Sequence, residues 1–383
     1  MTVVDLGELG LDEGAQLLVK RALRSSDRVR VIGASPTLAI DLPAWCRARG
    51  HAFADGVIVR GDADAGRLFG AERAGAIDRA VDDPPQRWGL AARGSLVEAG
   101  ARVVEFSLSH KADVWADEAA RLYAQAAAAQ WDPATAIPWS APIAHPDEVE
   151  DAIVQIMTYL IENETAALLV PARFLAKLHP HFREVMQLLA IQAADEARHI
   201  EVFTRRAQLR RGELGLSTAG GQASLATLFD EPDFAIASFL LAVLGEGSFL
   251  TLLWFIRDHA PDECTCEVAR LAAQDEARHV AFGLAHLARH AELDPGLHGR
   301  LAAAIERRHA ALAHTSGLNE LVFDALVLLA AGSWAHHDLR RGHAAVVKLV
   351  ADMDAGRRTR LARLGFAPAD AERLSALHTR NFM

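Results

Sequence analysis

The five-residue string Asp-Glu-Ala-Arg-His occurs twice, at Asp195–His199 and Asp275–His279, and each copy follows an apolar-flanked glutamate at nearly the same interval. Glu164 stands 32 residues before Glu196, and Glu246 stands 30 before Glu276. The midpoints of the two intervals are Pro180 and Pro261. Proline marks turns and first helical positions, so each interval reads as a helix, a tight turn and a returning helix. With a rise of about 1.5 Å per residue, equal arms bring the second glutamate back to the height of the first. Two such hairpins gather four glutamates and two histidines at one level.

Within each string the glutamate and histidine are at i and i+3, neighbours on one helix face. Glu196 with His199, and Glu276 with His279, can therefore each bind one metal ion, with Glu164 and Glu246 completing the set. The four glutamates are the expected catalytic residues as members of that metal site. Around Glu164 the positions Met157, Leu160, Ile161, Leu168 and Pro171 are apolar, whereas the face of Glu162 carries Gln155, Thr158, Tyr159 and Thr165. Glu164 is thus expected inside and Glu162 outside. Glu246 is the only charge in the 23 residues from Phe234 to Ile256. An unpaired carboxylate there is costly, and two divalent cations would neutralise the four glutamates. The run is also long enough for a membrane span, but its central glutamate and the lack of flanking Lys/Arg bias argue for a buried helix and against a membrane partner. Gly245 and Gly247 flank the glutamate at a cost of about 1 kcal/mol each in a helix. Close packing and an open channel for O2 or substrate are equally good motives.

On these residues, the stretch from about 113 to 292 resembles the ferritin-like di-iron carboxylate superfamily, which includes multicomponent monooxygenases, ribonucleotide reductase small subunits and related oxidases. Gln130-Trp131-Asp132-Pro133 through Ile137-Pro138-Trp139 is similar to that group as well. The resemblance implies an all-α four-helix bundle, and Asp195 and Asp275 as partners of the ligand histidines, each holding the one on the opposite hairpin and making it more basic. Arg198 and Arg278 either pair with these aspartates or form a solvated helix face. Such ligands suit two Fe ions or a Mn/Fe pair better than zinc, with O2 as co-substrate and an external electron donor.

Absent features narrow the role. The position of a stored tyrosyl radical in ribonucleotide reductases is Pro171 here, no Cys-x-x-Cys module is present, and the third histidine of N-oxygenases is replaced by Ala272. An oxidase or monooxygenase acting on a small organic substrate remains. The alternatives are a metal-binding sensor or scaffold without turnover, and a regulatory partner in a sulfur-handling pathway.

The last alternative comes from residues 1–60, which read as a small α/β unit: a helix around Ala15–Arg24, a strand Arg28–Gly33, a helix Ala39–Gly50 and a strand near Gly56–Arg60. Val29–Pro36 and Asp41–His51 resemble the TusA-like sulfur-carrier family. That family's Cys-Pro-x-Pro motif corresponds to Asp12-Glu13-Gly14-Ala15. Aspartate cannot carry a persulfide, so the unit is expected to bind a protein partner or pack on the bundle. Residues 61–112, with Asp83-Pro84-Pro85, read as a linker, with a strand at Ala101–Leu108. A helix at Asp113–Gln130 opens the bundle, and Arg211–Glu231, containing Gly220-Gly221, is its long crossover. Residues 293–383 form a helical extension, with helices at about 296–315, 317–335 and 338–355 and a short polar tail. His336-His337 and His179-Pro180-His181 lack carboxylates at helical spacing and are expected at the surface.

A net charge of −10 argues against nucleic-acid binding. Three cysteines, Cys46, Cys264 and Cys266, offer no disulfide framework, and Met1–Gly10 has two acids and no basic run. Both point to a cytoplasmic enzyme, with a reductase as partner and a homodimer as one expected assembly.

Overall fold

The computed structural model describes residues 1–62, 68–313 and 320–379. They form two compact units, one of residues 1–74 with 94–102, the other of residues 75–93 with 103–383.

In the first unit, β1 (Thr2–Asp5), α1 (Ala15–Ser25), β2 (Arg28–Ile32), α2 (Leu38–Ala48), β3 (Ala52–Ala54) and β4 (Val57–Val59) build a sheet of order β1-β2-β4-β3. β1 runs parallel to β2, and β4 antiparallel to both β2 and β3. Along β2, Val29 and Val31 alternate inward with outward arginines, and α1 turns Ala15, Val19, Ala22 and Leu23 onto them. Asp55 (φ 50°) and Gly56 (φ 73°) close the β3–β4 hairpin. Two successive left-handed residues match the right-handed twist of the strands, which is why Asp-Gly stands there. A second pair, β5 (Glu72–Arg73) and β6 (Leu96–Val97), completes the unit. The sequence pattern marks neither β1 nor β3, nor the β5–β6 pair within the stretch expected to be a linker. It does predict a strand at Ala101–Leu108, where Leu108 makes only an isolated bridge to Leu178.

The second unit is helical: α3 (Lys111–Val114), α4 (Ala119–Ala128), α5 (Asp147–Leu175), α6 (Arg183–Ala207), α7 (Ala219–Phe229), α8 (Phe234–Ser238), α9 (Gly247–Asp258), α10 (Glu263–Leu293), α11 (Leu297–Leu312), α12 (Glu320–Ala331), α13 (His336–Arg363) and α14 (Pro368–Thr379). Residues Phe239–Glu246, between α8 and α9, are π-helical. α5 and α6 pair around the turn at Pro180, and α9 with the π segment pairs with α10 around Pro261. The expected helix 113–130 is broken into α3 and α4, the crossover contains α7, and the expected polar tail holds α14, whose Leu374 and His378 are buried.

Among the described residues two helical stretches, Asp147–Leu175 and Phe234–Asp258, are long and apolar enough to cross a membrane, but 61% of the first window and 72% of the second are buried inside the protein. α12 and α7 pack on α5. Tyr159 and Thr158, expected on an outward face, are therefore buried as well. Two apolar cores result. One includes Leu160 of α5, Val202 of α6, Phe249 of α9 and Ala273 of α10. The other includes Ala166 of α5, Leu189 of α6, Leu244 of the π segment and Phe282 of α10. Along each of these four arms of the bundle, the passage from one core to the other spans the predicted metal-site residues.

Beyond one core, the helix ends are tied by a buried ion network. Arg206 of α6 donates to both oxygens of Glu150 on α5 (2.9 and 3.0 Å), to Asp262 at the start of α10 (2.7 Å) and to Thr265 (2.6 Å). Asp262 also caps α10 by accepting from the Thr265 amide.

Candidate metal centre

Glu164 comes from α5, Glu196 and His199 from α6, Glu246 from the end of the π segment, and Glu276 and His279 from α10. All six are at most 4% exposed. Their donor atoms form two groups, Glu164–Glu196–His199–Glu276 and Glu196–Glu246–Glu276–His279, within each of which the atoms lie within 4.8 Å of one another. Glu196 and Glu276 belong to both. His199 Nδ1 stands 3.1 Å from Glu196, 3.6 Å from Glu164 and 3.5 Å from Glu276. His279 Nδ1 stands 3.0 Å from Glu196 and 3.3 Å from Glu276.

The far nitrogens of both rings meet carboxylates of the other hairpin: His199 Nε2 is 3.2 Å from Asp275, and His279 Nε2 is 3.4 Å from Asp195. Arg198 donates to Asp195 (2.5 Å) and Asp275 (2.9 Å), and Arg278 donates to Asp275. Arg198 is 9% exposed, so the solvated-face reading does not hold for it. Three further side chains were given no role by the sequence, although Gln130 and Trp131 stand in the segment whose resemblance was noted. Gln130 donates to Asp195 at 2.8 Å, Trp131 donates to Asp275 at 2.8 Å while its ring stacks on His199, and Gln192 donates to Glu246 at 3.0 Å. Gln192 lies one helical turn before Glu196, a spacing that marks the same face.

The residues present fit two divalent metal ions. Glu164 Oε1, Glu196 Oε1, Glu246 Oε2, both Glu276 oxygens and His279 Nδ1 are buried without a hydrogen-bond partner. Leaving buried polar atoms unsatisfied is costly, and shared cations would satisfy all of these at once. Electrostatics agree. Burial, and then the charges of Glu196 and Glu276, push the Glu164 carboxyl well above the ordinary range. Burial and then Glu276 do the same to Glu246. Burial opposes charge on the two rings too. Asp275 and Glu164 nevertheless hold His199, and Glu196 and Asp195 hold His279, well above the usual imidazole value. Without metal the centre keeps protons where cations would sit, so loading must release them.

The two glycines beside Glu246 answer to different needs. A Cβ on Gly247 would lie 2.4 Å from Arg360 Nε, which donates to the Val243 carbonyl at 2.6 Å, so close packing explains Gly247. Gly245 instead lines a narrow cavity of about 30 Å³ that reaches Glu164, Glu246 and Glu276. The other histidine candidates stay apart from the centre. His336 and His337 are exposed. His179 and His181, expected at the surface, are buried beneath residues 75–93: the Val81 amide donates to His181 Nε2 at 3.0 Å, and Arg93 donates to the His181 carbonyl.

No protein-family model matches the chain, and no curated protein matches it. Among solved structures it is similar to "Protein 19 with aldehyde deformylating oxidase activity from Synechococcus" at 19% identity, covering 60% of this chain and 96% of that one with a TM-score of 0.43. It is also similar to an R2-like ligand-binding oxidase with an aerobically reconstituted metal cofactor after photoconversion, at 16% identity, 69% and 91% coverage and a TM-score of 0.44. A variant of an R2-like ligand-binding oxidase with Mn/Fe cofactor gives 17%, 67% and 92%, and 0.45. Likeness of this degree carries no chemistry across, and the chemistry of the centre rests on its own side chains.

Proposed function

We propose that the chain is an oxidase or monooxygenase that uses O2 at a di-iron or Mn/Fe centre to act on a small organic substrate. The observation that carries this reading is the pair of overlapping donor groups sharing Glu196 and Glu276. Glu164 and His199 would hold one ion, Glu246 and His279 the other, and Glu196 and Glu276 both. When bound, such a pair supplies electrons and an open coordination position for O2.

The remaining work falls to the chain. Four carboxylates neutralise four positive charges, so the loaded centre is stable in an apolar interior. Asp195 and Asp275 fix the histidine rings and keep their inner nitrogens turned to the ions. The two apolar cores on either side exclude bulk water and leave the cavity beside Gly245 as the approach for substrate. Electrons would come from an external reductase, and the first unit, with Asp12 where the sulfur-carrier motif has cysteine, would serve as a protein-docking element.

Anaerobic loading with two equivalents of Fe(II), then exposure to O2 in a stopped-flow spectrometer, tests the reading. The expected result is two ions bound, O2 consumed and a transient visible absorption, all lost in Glu276→Ala. Two ions bound with no O2 reaction would turn the assignment to a sensor or scaffold. Failure to bind two ions would overturn the centre itself.

A further inference from the structure

The cavity that reaches Glu164, Glu246 and Glu276 is walled by apolar side chains such as Leu228, Leu241 and Phe249, and is lined also by Asn163 and Arg308. Arg308, on α11, is 4% exposed. Its guanidinium donates to Ser224 Oγ at 2.7 Å and to the Ser224 carbonyl at 3.3 Å, while its Nε is buried with no hydrogen-bond partner. Among the described residues no carboxylate pairs with it. Burial and then the positive charges of Arg308, Arg357 and Arg360 drive His378 well below the ordinary imidazole value, so that ring is neutral and supplies no counter-charge. The Tyr159 hydroxyl, close enough to feel Arg308, is also buried without a partner.

A buried cation without a counter-ion costs several kcal/mol in general, and an apolar cavity with a few convergent polar groups is the ordinary design of a small-molecule site; here Arg308 is the one cation among the lining residues, and the three glutamates belong to the proposed metal centre. The planar fork of an arginine matches the two oxygens of a carboxylate. Resting on the metal-dependent reading above, we propose that the substrate is a monocarboxylate with a compact apolar body, its carboxylate held by Arg308 and its body laid along the cavity toward Glu164 and Glu246. Arg308 is then a substrate-binding residue that selects for one negative charge and fixes which end of the molecule meets the metals.

The test is calorimetric titration with hexanoate and benzoate, each beside its primary amide, on metal-free protein and on protein holding two equivalents of Mn(II). The expected result is at least tenfold tighter binding of the acid than of its amide in both forms, with the preference lost in Arg308→Met. Equal binding of acid and amide would overturn the proposal. So would a preference that survives in Arg308→Met, or one seen only with Mn(II) present, since the metals would then hold the carboxylate. Should Arg308→Met fail to fold, the acid-to-amide ratio of the wild-type protein and its reduction in Arg308→Lys decide the matter. Mn(II) stoichiometry is read separately, so a wild-type chain that binds fewer than two ions yet prefers acids would fail the metal reading and keep this one.

Discussion

At the scale of single residues, the cluster of candidate ligands was legible because its chemistry is expensive. A carboxylate in the apolar run around Glu246 has few uses besides a cation, and a repeated Glu-x-x-His with equally spaced upstream glutamates leaves little freedom of position. The side chains that orient these groups were only partly legible. Gln192 shares a face with Glu196, but glutamine is common on helices. Arg308 belongs to α11, outside both ligand hairpins, and no spacing rule connects it to the metal-site residues. The crossed arrangement of Asp195 with His279 and Asp275 with His199 leads to a direct expectation. Asp275→Asn should weaken metal binding about 10- to 100-fold with the helical content unchanged, as read by Mn(II) titration and circular dichroism.

At the scale of elements, helix hairpins follow from hydrophobic period and proline placement, and α5, α6 and α10 are where the pattern puts them. The short strands β1 and β3 and the helix α14 escaped because each takes its stability from neighbours rather than from a pattern of its own. The Arg206 network is another element-level feature, since it binds α5, α6 and α10 into one end of the bundle. Arg206→Met should cost about 3–5 kcal/mol, because it leaves the buried Asp262 without its arginine and Glu150 with His145 alone; urea unfolding measures this. Burial alone would raise the Glu150 carboxyl, but Arg206, helped by His145, holds it below its ordinary value, and Asp262 is held low in the same way. Their stabilisation is therefore complete above the ordinary carboxylate range and is lost as pH falls below about 4. Metal-free protein should show that acid limb, and Arg206→Met should flatten it. Gly247→Ala would push Arg360 off the Val243 carbonyl, and the expected result is one bound Mn(II) instead of two.

For the molecule as a whole, the proposed centre would make the cation part of the folding equilibrium. Ions that bind only the folded chain stabilise it by mass action, about 4 kcal/mol at a thousand times the dissociation constant. Thermal unfolding should therefore shift upward with Mn(II), return with chelator, and stay put in Glu276→Ala. Within the helical unit, the two cores meeting at the proposed ligands imply that the shift is cooperative, with one transition rather than two.

The π-helical turn at Phe239–Glu246 bears on how the chain tolerates changes of length. A turn closed by i→i+5 bonds holds one residue more than an α-helical turn, so it takes up an insertion without twisting the helix beyond it. Removing Leu241 should close that turn into ordinary α-helix and leave α9 in place, with two Mn(II) ions still bound. Removing Ile161 from α5 offers no such slack. It would swing Glu164 by about 100° against Met157 and Leu160 and empty the centre of metal. Of the segments that build the site, the one carrying the least conventional backbone is the one best able to lose a residue.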